Sequence, residues 1–297
     1  MSASPPPANV AATVLSWYDV HARDLPWRRP EATPWGVLVS EVMLQQTPVS
    51  RVLPAYAMWL ARWPTPAVLA VDPPGEAVRA WGRLGYPRRA LRLHQAATAI
   101  VAHHGGQVPA SYDELRALPG VGDYTAAAVT TFAFRHRHAV VDTNVRRVLA
   151  RLLGGVEFPL GAGVTATDRR VAATLLPDDP VVAARWAVAL MELGALVCTA
   201  RAPRCGACPL ADRCAWRQAG RPVYTGPPRR RQAYAGTDRQ ERGRLLGVLR
   251  AAPGPVLAAA LTGADHDAEQ CARALTGLIA DGLVEVLPQQ RYRLPQA

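Results

Sequence analysis

The sequence predicts a mainly α-helical protein that ends in a small α+β module, and three observations predict it. Over the first 216 residues, amphipathic stretches rich in Ala, Leu and Arg are separated by short Pro/Gly breaks such as "VDPPGEA", "HHGGQVPASY" and "LLPDDPVV", the punctuation of consecutive helices. Few segments in this region alternate with period two, which argues against a sheet-based core. Beyond residue 240 the pattern changes to three short helical stretches followed by "LVEVLPQQRYRL", which alternates around a polar turn and reads as a hairpin.

At 297 residues the chain can bury cores without disulfide staples, and its length allows more than one domain. The formal net charge is +11 and the pI about 10.2; all 34 basic residues are arginine, and lysine is absent. Base-composition bias explains arginine in place of lysine, but not the size of the excess, which points to a polyanionic partner such as nucleic acid. No apolar run reaches membrane-spanning length. "MSASPPPANV" lacks the basic and apolar regions of a signal peptide and reads as a disordered lead-in. A reducing cytoplasm is therefore expected, where clustered cysteines more often bind metal than form disulfides.

The first helix of chemical interest contains "SEVMLQQT", residues 40–47. Val37, Leu38, Leu44 and Gln45 lie three or four positions from Glu41 and share its helical face. A carboxyl group on an apolar stripe is either a misfit with an unseen partner or a group kept protonated by burial.

"ASYDELRALPGVGDYTAAAVTTFAF" reads as helix, tight turn, helix. Ser111 with Glu114 fits a capping box, Pro119 and Gly120 stop the first helix, and Asp123 can cap the second. The Gly120-Val121-Gly122 turn leaves backbone N–H groups at a helix start, where an anionic oxygen can bind. Simple connectivity explains such a hairpin in isolation; the basic composition favours a DNA phosphate. In "VVDTNVRRVLARLLGG", Val145, Val148, Leu149 and Leu152 form one apolar stripe, with Arg146, Arg147 and Arg151 elsewhere on the helix. Asp142 then falls at the N-cap, where backbone N–H groups and the helix dipole should lower its pKa. Two carboxyls with opposite tendencies can act as proton donor and permanent anion.

Cys198, Cys205, Cys208 and Cys214 are spaced C-x6-C-x2-C-x5-C. Four thiolates in one short loop suit zinc or an iron–sulfur cluster, and the spacing leaves both open. Cys271 lies apart and is expected to pack as a small hydrophobe. Residues 217–240 form a basic Pro/Gly-rich linker whose triple arginine, 229–231, either follows a phosphate backbone or is solvated.

Taken in order, "LPWR" (25–28), "SEVMLQQT", "WGRLGYPRRA" (81–90), "LPGVGDYTAAAV" (118–129), "VVDTNVRRVL" (140–149), "MELGALVC" (191–198) and the four-cysteine loop make the chain resemble the adenine DNA glycosylases of the helix-hairpin-helix, iron–sulfur base-excision superfamily. The resemblance implies a two-lobed helical core with a [4Fe–4S] cluster loop. Residues 1–30 with 141–216 would form a discontinuous cluster lobe and 31–140 a six-helix lobe carrying the hairpin. After the linker, residues 241–297 resemble a winged helix, where typical members of the family carry a Nudix-like domain that reads 8-oxoguanine. The function implied is removal of adenine mispaired with 8-oxoguanine or guanine in double-stranded DNA by a monomeric, cytoplasmic enzyme, nucleoid-associated when on DNA. Glu41 would protonate adenine N7 and help activate water, and Asp142 would stabilise the oxocarbenium-like sugar. Asn144 would orient Asp142, and Tyr124 would line the site beside the sugar. Leu25, Trp27, Arg28 and Glu192 match positions around the extruded adenine. Gln46, Thr47, Leu84 and Tyr86 match the group that probes the opposite strand, with Gln45 beside them. Cys198, Cys205, Cys208 and Cys214 would hold one [4Fe–4S] cluster. Lyase relatives have a lysine at the Tyr124 position; a chain without lysine is expected to be monofunctional. Two alternatives remain: a sister glycosylase acting on another mispaired base, and a non-enzymatic DNA-binding protein.

Overall fold

A computed structural model describes residues 10–161, 163–227, 234–263 and 266–296. The expected disordered lead-in and the triple arginine lie outside the described residues. In chain order the helices are α1 (Val10–His21), α2 (Pro34–Leu44), α3 (Val49–Arg62), α4 (Pro66–Val71), α5 (Pro74–Trp81), α6 (Arg88–His104), α7 (Tyr112–Ala117) and α8 (Asp123–Phe134). They continue as α9 (Thr143–Leu152), α10 (Ala166–Thr174), α11 (Pro180–Leu196), α12 (Ala215–Gln218), α13 (Asp238–Ala251), α14 (Ala258–Thr262) and α15 (Ala268–Ala280). Strands β1 (Val256–Leu257), β2 (Glu285–Leu287) and β3 (Arg291–Arg293) complete the chain. The expected fold class, mainly helical with a small terminal α+β module, stands. Among the described residues no helix is long and apolar enough to cross a membrane.

The chain divides into two compact units. One comprises Met1–Val37, Ala110–Arg116 and Val121–Pro228, the other Leu38–Pro109, Ala117–Gly120 and Arg229–Ala297. In the first, Val10, Val14 and Trp17 of α1, the expected stripe of α9, and Trp186, Leu190 and Leu193 of α11 share one core. The arginines of α9, off that stripe, are enclosed as well. Arg146, Arg147 and Arg151 are all buried, because each finds charged or carbonyl partners far away in sequence. Arg146 pairs with Asp168 at 2.8 Å, and Arg147 donates to the Gly194 and Cys198 carbonyls at 2.7 Å. The start of the expected linker packs here too: Trp216 Nε1 donates to Pro222 O at 2.9 Å, and Tyr224 N donates to Glu157 Oε2 at 2.8 Å.

The second unit is built on α3 to α6, with Trp59 edge-on to Trp63 and Trp81 at ring separations of 4.6 and 5.6 Å. Its terminal module has the three helices and the hairpin expected, plus one strand the sequence did not announce. Val256 and Leu257 open the "PVLAAALTG" segment as β1, giving an antiparallel sheet of order β1-β3-β2. Gln289 and Gln290 turn the hairpin with φ of 61° and 51°. Cys271 is buried as expected, but its thiol also donates to Glu241 Oε1 at 2.9 Å.

Candidate functional site

The part of α2 in the second unit, from Leu38 on, is deeply buried: Leu38, Val39, Ser40 and Met43 are inaccessible and Glu41 is 4% exposed. The helix ends at Leu44, and the next residues are shaped by an arginine that sequence reasoning did not single out. Arg89 donates from one nitrogen to the carbonyls of Val42, Met43 and Gln45 (2.8, 3.1 and 2.6 Å) and from the other to Thr47 Oγ1 and Gly85 O, both at 3.0 Å. One guanidinium thus satisfies the bare carbonyls at the end of α2 and ties them to the 84–86 turn. Burial pushes Arg89 down to about 10. Its only sequence signal was its place in "WGRLGYPRRA".

Around this anchor the four expected probes divide. Thr47 and Leu84 are buried, with Thr47 Oγ1 donating to Leu84 O at 3.3 Å. Gln46 and Tyr86 face outward, and both have left-handed backbones, φ 56° and 46°, a conformation that costs energy for a non-glycine residue. Gln45 is half-buried behind them.

In the first unit, Asp142 is the N-cap of α9, as expected. Its Oδ1 accepts from Val145 N at 2.7 Å and its Oδ2 from Asn144 Nδ2 at 2.8 Å. Arg147 Nη2 in turn donates to Asn144 Oδ1 at 2.8 Å, so both carboxylate oxygens are fixed and the residue fixing one of them is itself held. The expected direction of the Asp142 pKa is corrected. Burial pushes it above the ordinary value, outweighing the opposing effect of the Val145 N–H, Asn144 and Arg147; desolvation here exceeds the helix-end contribution. Asn144 is closely backed by α11, where a Cβ on Gly194 would come within 2.7 Å of Asn144 Cβ.

Also in this unit, Leu25 and Trp27 are buried and Glu192 is wholly inaccessible. Glu192 is committed to two arginines: Oε1 accepts from Arg23 Nε at 2.7 Å, and Oε2 from Arg23 Nη2 at 2.8 Å and Arg28 Nη2 at 2.9 Å. Burial opposes its ionisation, but the Arg23 and Arg28 hydrogen bonds and charge prevail and hold it at about 2. Arg28 Nη1 is buried with no hydrogen-bond partner among the described residues.

At the hairpin, Ser111 Oγ accepts from Glu114 N at 3.5 Å, consistent with one half of the expected capping box. Gly120 takes φ +78°, and a Cβ there would meet Arg92 Cβ at 2.6 Å, so glycine is required. Val121 is buried and Gly122 exposed. The cap of α8 is Gly122, not Asp123. Asp123 is the first residue of the helix, and its carboxylate pairs with Arg116 Nε at 2.7 Å. Tyr124, half-buried, packs against Ala127, Ala128 and Val140.

The four loop cysteines are half-buried around a small apolar cavity that Trp216 and Arg151 also line. Burial pushes the Cys208 thiol up to about 11, and its neighbours Cys198, Cys214 and Cys205 add to that effect by charge, so the four sulfurs converge. Four thiols around one cavity are a thiolate-only donor set, which fits an iron–sulfur cluster.

These features define a class, and the comparisons agree. A family model described as "HhH-GPD superfamily base excision DNA repair protein" matches residues 39–159, and one described as "Iron-sulfur binding domain of endonuclease III" matches 198–214. Among solved structures, a thermostable thymine-DNA glycosylase is similar at TM-score 0.64 and 28% identity, over 70% of this chain and 95% of that one. An endonuclease III–DNA complex, at TM-score 0.60 and 23% identity over 71% and 95%, supports the fold alone. The chain is therefore a helix-hairpin-helix base-excision repair protein. Within that class, it is 54% identical over 97% of its length to an adenine DNA glycosylase of Mycobacterium tuberculosis, covering 95% of that protein, and 52% identical over 95% to one of Mycolicibacterium smegmatis, covering 94%. The human adenine DNA glycosylase is 41% identical over 69% of this chain and 39% of its own length. The chain belongs to the adenine DNA glycosylase family; its cofactor is a [4Fe–4S] cluster and its macromolecular partner is duplex DNA.

Proposed function

We propose that the chain removes adenine opposite 8-oxoguanine or guanine as a monofunctional, monomeric glycosylase working in the cytoplasm and on the nucleoid. The observation that carries the reading is the doubly fixed Asp142 carboxyl, held by the start of α9 on one oxygen and by Asn144 on the other. An oxocarbenium-like sugar needs an anion that does not move.

The glycosidic bond cannot be reached inside a duplex, so the adenosine rotates out of the stack. Glu41, shielded from water on α2, delivers a proton to adenine N7, weakening the bond to the sugar; Asp142 faces the cation that develops, and Asn144 and Arg147 keep it aimed. After the base leaves, Glu41 takes a proton from the attacking water. Glu192 keeps Arg28 in place, and the orphaned Arg28 Nη1 supports a ligand contact at the extruded base beside Leu25 and Trp27. Gln46 and Tyr86 probe the opposite strand, supported from behind by Gln45, Thr47 and Leu84. The Gly120-Val121-Gly122 turn binds a phosphate. Tyr124 packs beside the sugar and offers no amine.

Cys198, Cys205, Cys208 and Cys214 would hold the cluster, which when bound cross-links the loop through four thiolates. On this reading residues 1–30 with 141–216 form the cluster lobe, 31–140 the six-helix lobe and 241–297 a winged-helix-like module joined by 217–240.

Duplexes carrying adenine opposite 8-oxoguanine, guanine or cytosine, together with a G·T mispair, test the assignment. Excision of adenine from the first two, with no strand nicking and no enzyme trapped on DNA by borohydride, is expected. Thymine removal, or efficient trapping at an internal residue, would contradict it.

A further inference from the structure

The terminal module does not hang from the catalytic lobe; it is latched to it. Arg79 of α5 donates to the carbonyls of Leu249, Arg250 and Ala252 at the end of α13, and Arg250 donates back to Val78 O at 2.9 Å. At the other edge, Gly75 N donates to Pro295 O at 2.7 Å. A Cβ on Gly75 would overlap that carbonyl oxygen and come within 2.9 Å of Leu294 Cβ. Each latch joins backbone that would otherwise be bare, so the docked position is specified rather than incidental.

Docking creates a cleft of about 520 Å³ whose one wall is Gln45, Gln46, Tyr86 and Arg88 of the lobe and whose other is Tyr234, Arg239 and Arg242 of the module. Arg239 lies over two tyrosine rings at once, Tyr86 at 5.0 Å and Tyr234 at 5.6 Å. Such stacking fixes a guanidinium charge at the wall of the cleft. Among the described residues lining the cleft the one carboxylate, Asp281, pairs with both Arg88 and Arg242. It cannot balance the five guanidiniums that line the space, of Arg88, Arg89, Arg239, Arg242 and Arg250. The cleft is therefore strongly positive and opens beside the two outward residues with left-handed backbones.

We propose that this cleft is a second DNA-backbone site: Arg239, with Arg88 and Arg242, holds phosphodiesters of the strand that Gln46 and Tyr86 face. This rests on the reading of Gln46 and Tyr86 given above. Guanidinium–phosphate contacts position DNA without reading its sequence, so the module supplies affinity and register, not discrimination between 8-oxoguanine and guanine.

The test uses the full-length, cluster-loaded protein and duplexes whose adenosine is 2′-fluorinated to resist cleavage, with 8-oxoguanine or guanine opposite, and a fully paired control. Arg239→Ala should weaken binding about three- to tenfold equally on all three and lower the slope of log affinity against log salt by about 1. Gly75→Val, which expels Pro295 and undocks the module without touching an arginine, should lose affinity on all three in the same way. Unchanged affinity and slope in both variants overturns the site. A loss confined to the 8-oxoguanine duplex also overturns it, because the module would then be a lesion reader. A wild-type enzyme that excised no adenine would refute the function above, while the binding comparison would still decide the cleft.

Discussion

At the scale of single residues, the two acids differ in how they are held. Glu41 is buried within a helix, whereas Asp142 is fixed by a helix start, an amide and, behind that amide, Arg147. Because burial lifts the Asp142 pKa and catalysis needs its anion, activity should fall with decreasing pH at a value above that of an ordinary aspartate. Single-turnover excision against pH measures this; an acid limb at or below the ordinary aspartate range would contradict it. Glu192 works in the opposite direction. Its pKa is held at about 2 against an ordinary 4.5, so its ion pairs stabilise the fold above pH 4.5 and that stability is lost as pH falls towards 2. The contribution is on the order of 3 kcal/mol. Glu192→Gln should lower the melting temperature at neutral pH and flatten the acid-side loss of stability; a variant as stable as wild type would rule this out.

At the scale of elements, much of the site was legible because it obeyed local rules. The Asp142 cap, the α9 stripe and the Pro119–Gly120 stop are short-range patterns, and the structure has all three. What the sequence concealed depends on partners distant along the chain. The arginines of α9 carry no local sign of burial until Gly194, Cys198 and Asp168 are brought to them. Arg89 looks like one basic residue among many until the end of α2 needs a donor. The raised pKa of Asp142 is hidden for a related reason: a cap is visible in sequence, but the burial around it is not. Gly194 belongs to this hidden set, since it is the gap through which α11 approaches Asn144. Gly194→Ala should push Asn144 off Asp142, cost about 1–3 kcal/mol of stability from overpacking, and reduce the chemical rate more than DNA binding. Equal losses in rate and binding would mean that the contact is merely structural.

At the scale of the whole molecule, a basic, lysine-free chain is matched to a reaction that needs no amine. The excess of arginine serves several ends at once. Some guanidiniums are interior fixtures, such as Arg89, Arg147 and Arg151, whose Nη1 donates to Cys198 Sγ at 3.3 Å and whose charge lies over Trp216 at 4.7 Å. Others, around the module cleft, present charge to DNA. Net charge alone could not separate these roles; only the fold does. The presence of the module, and that of its hairpin, could be read from periodicity, whereas its docking could not, because Arg79, Arg250 and Gly75 carry no local signature of the partners they meet.

The most direct test of the central claim is the single-turnover rate of adenine release opposite 8-oxoguanine by Glu41→Gln, measured with enzyme in saturating excess. An amide preserves the shape and burial of the side chain but cannot pass on a proton. A loss of about 10²–10⁴-fold with duplex affinity retained is expected; excision at the wild-type rate would rule out Glu41 as the proton donor.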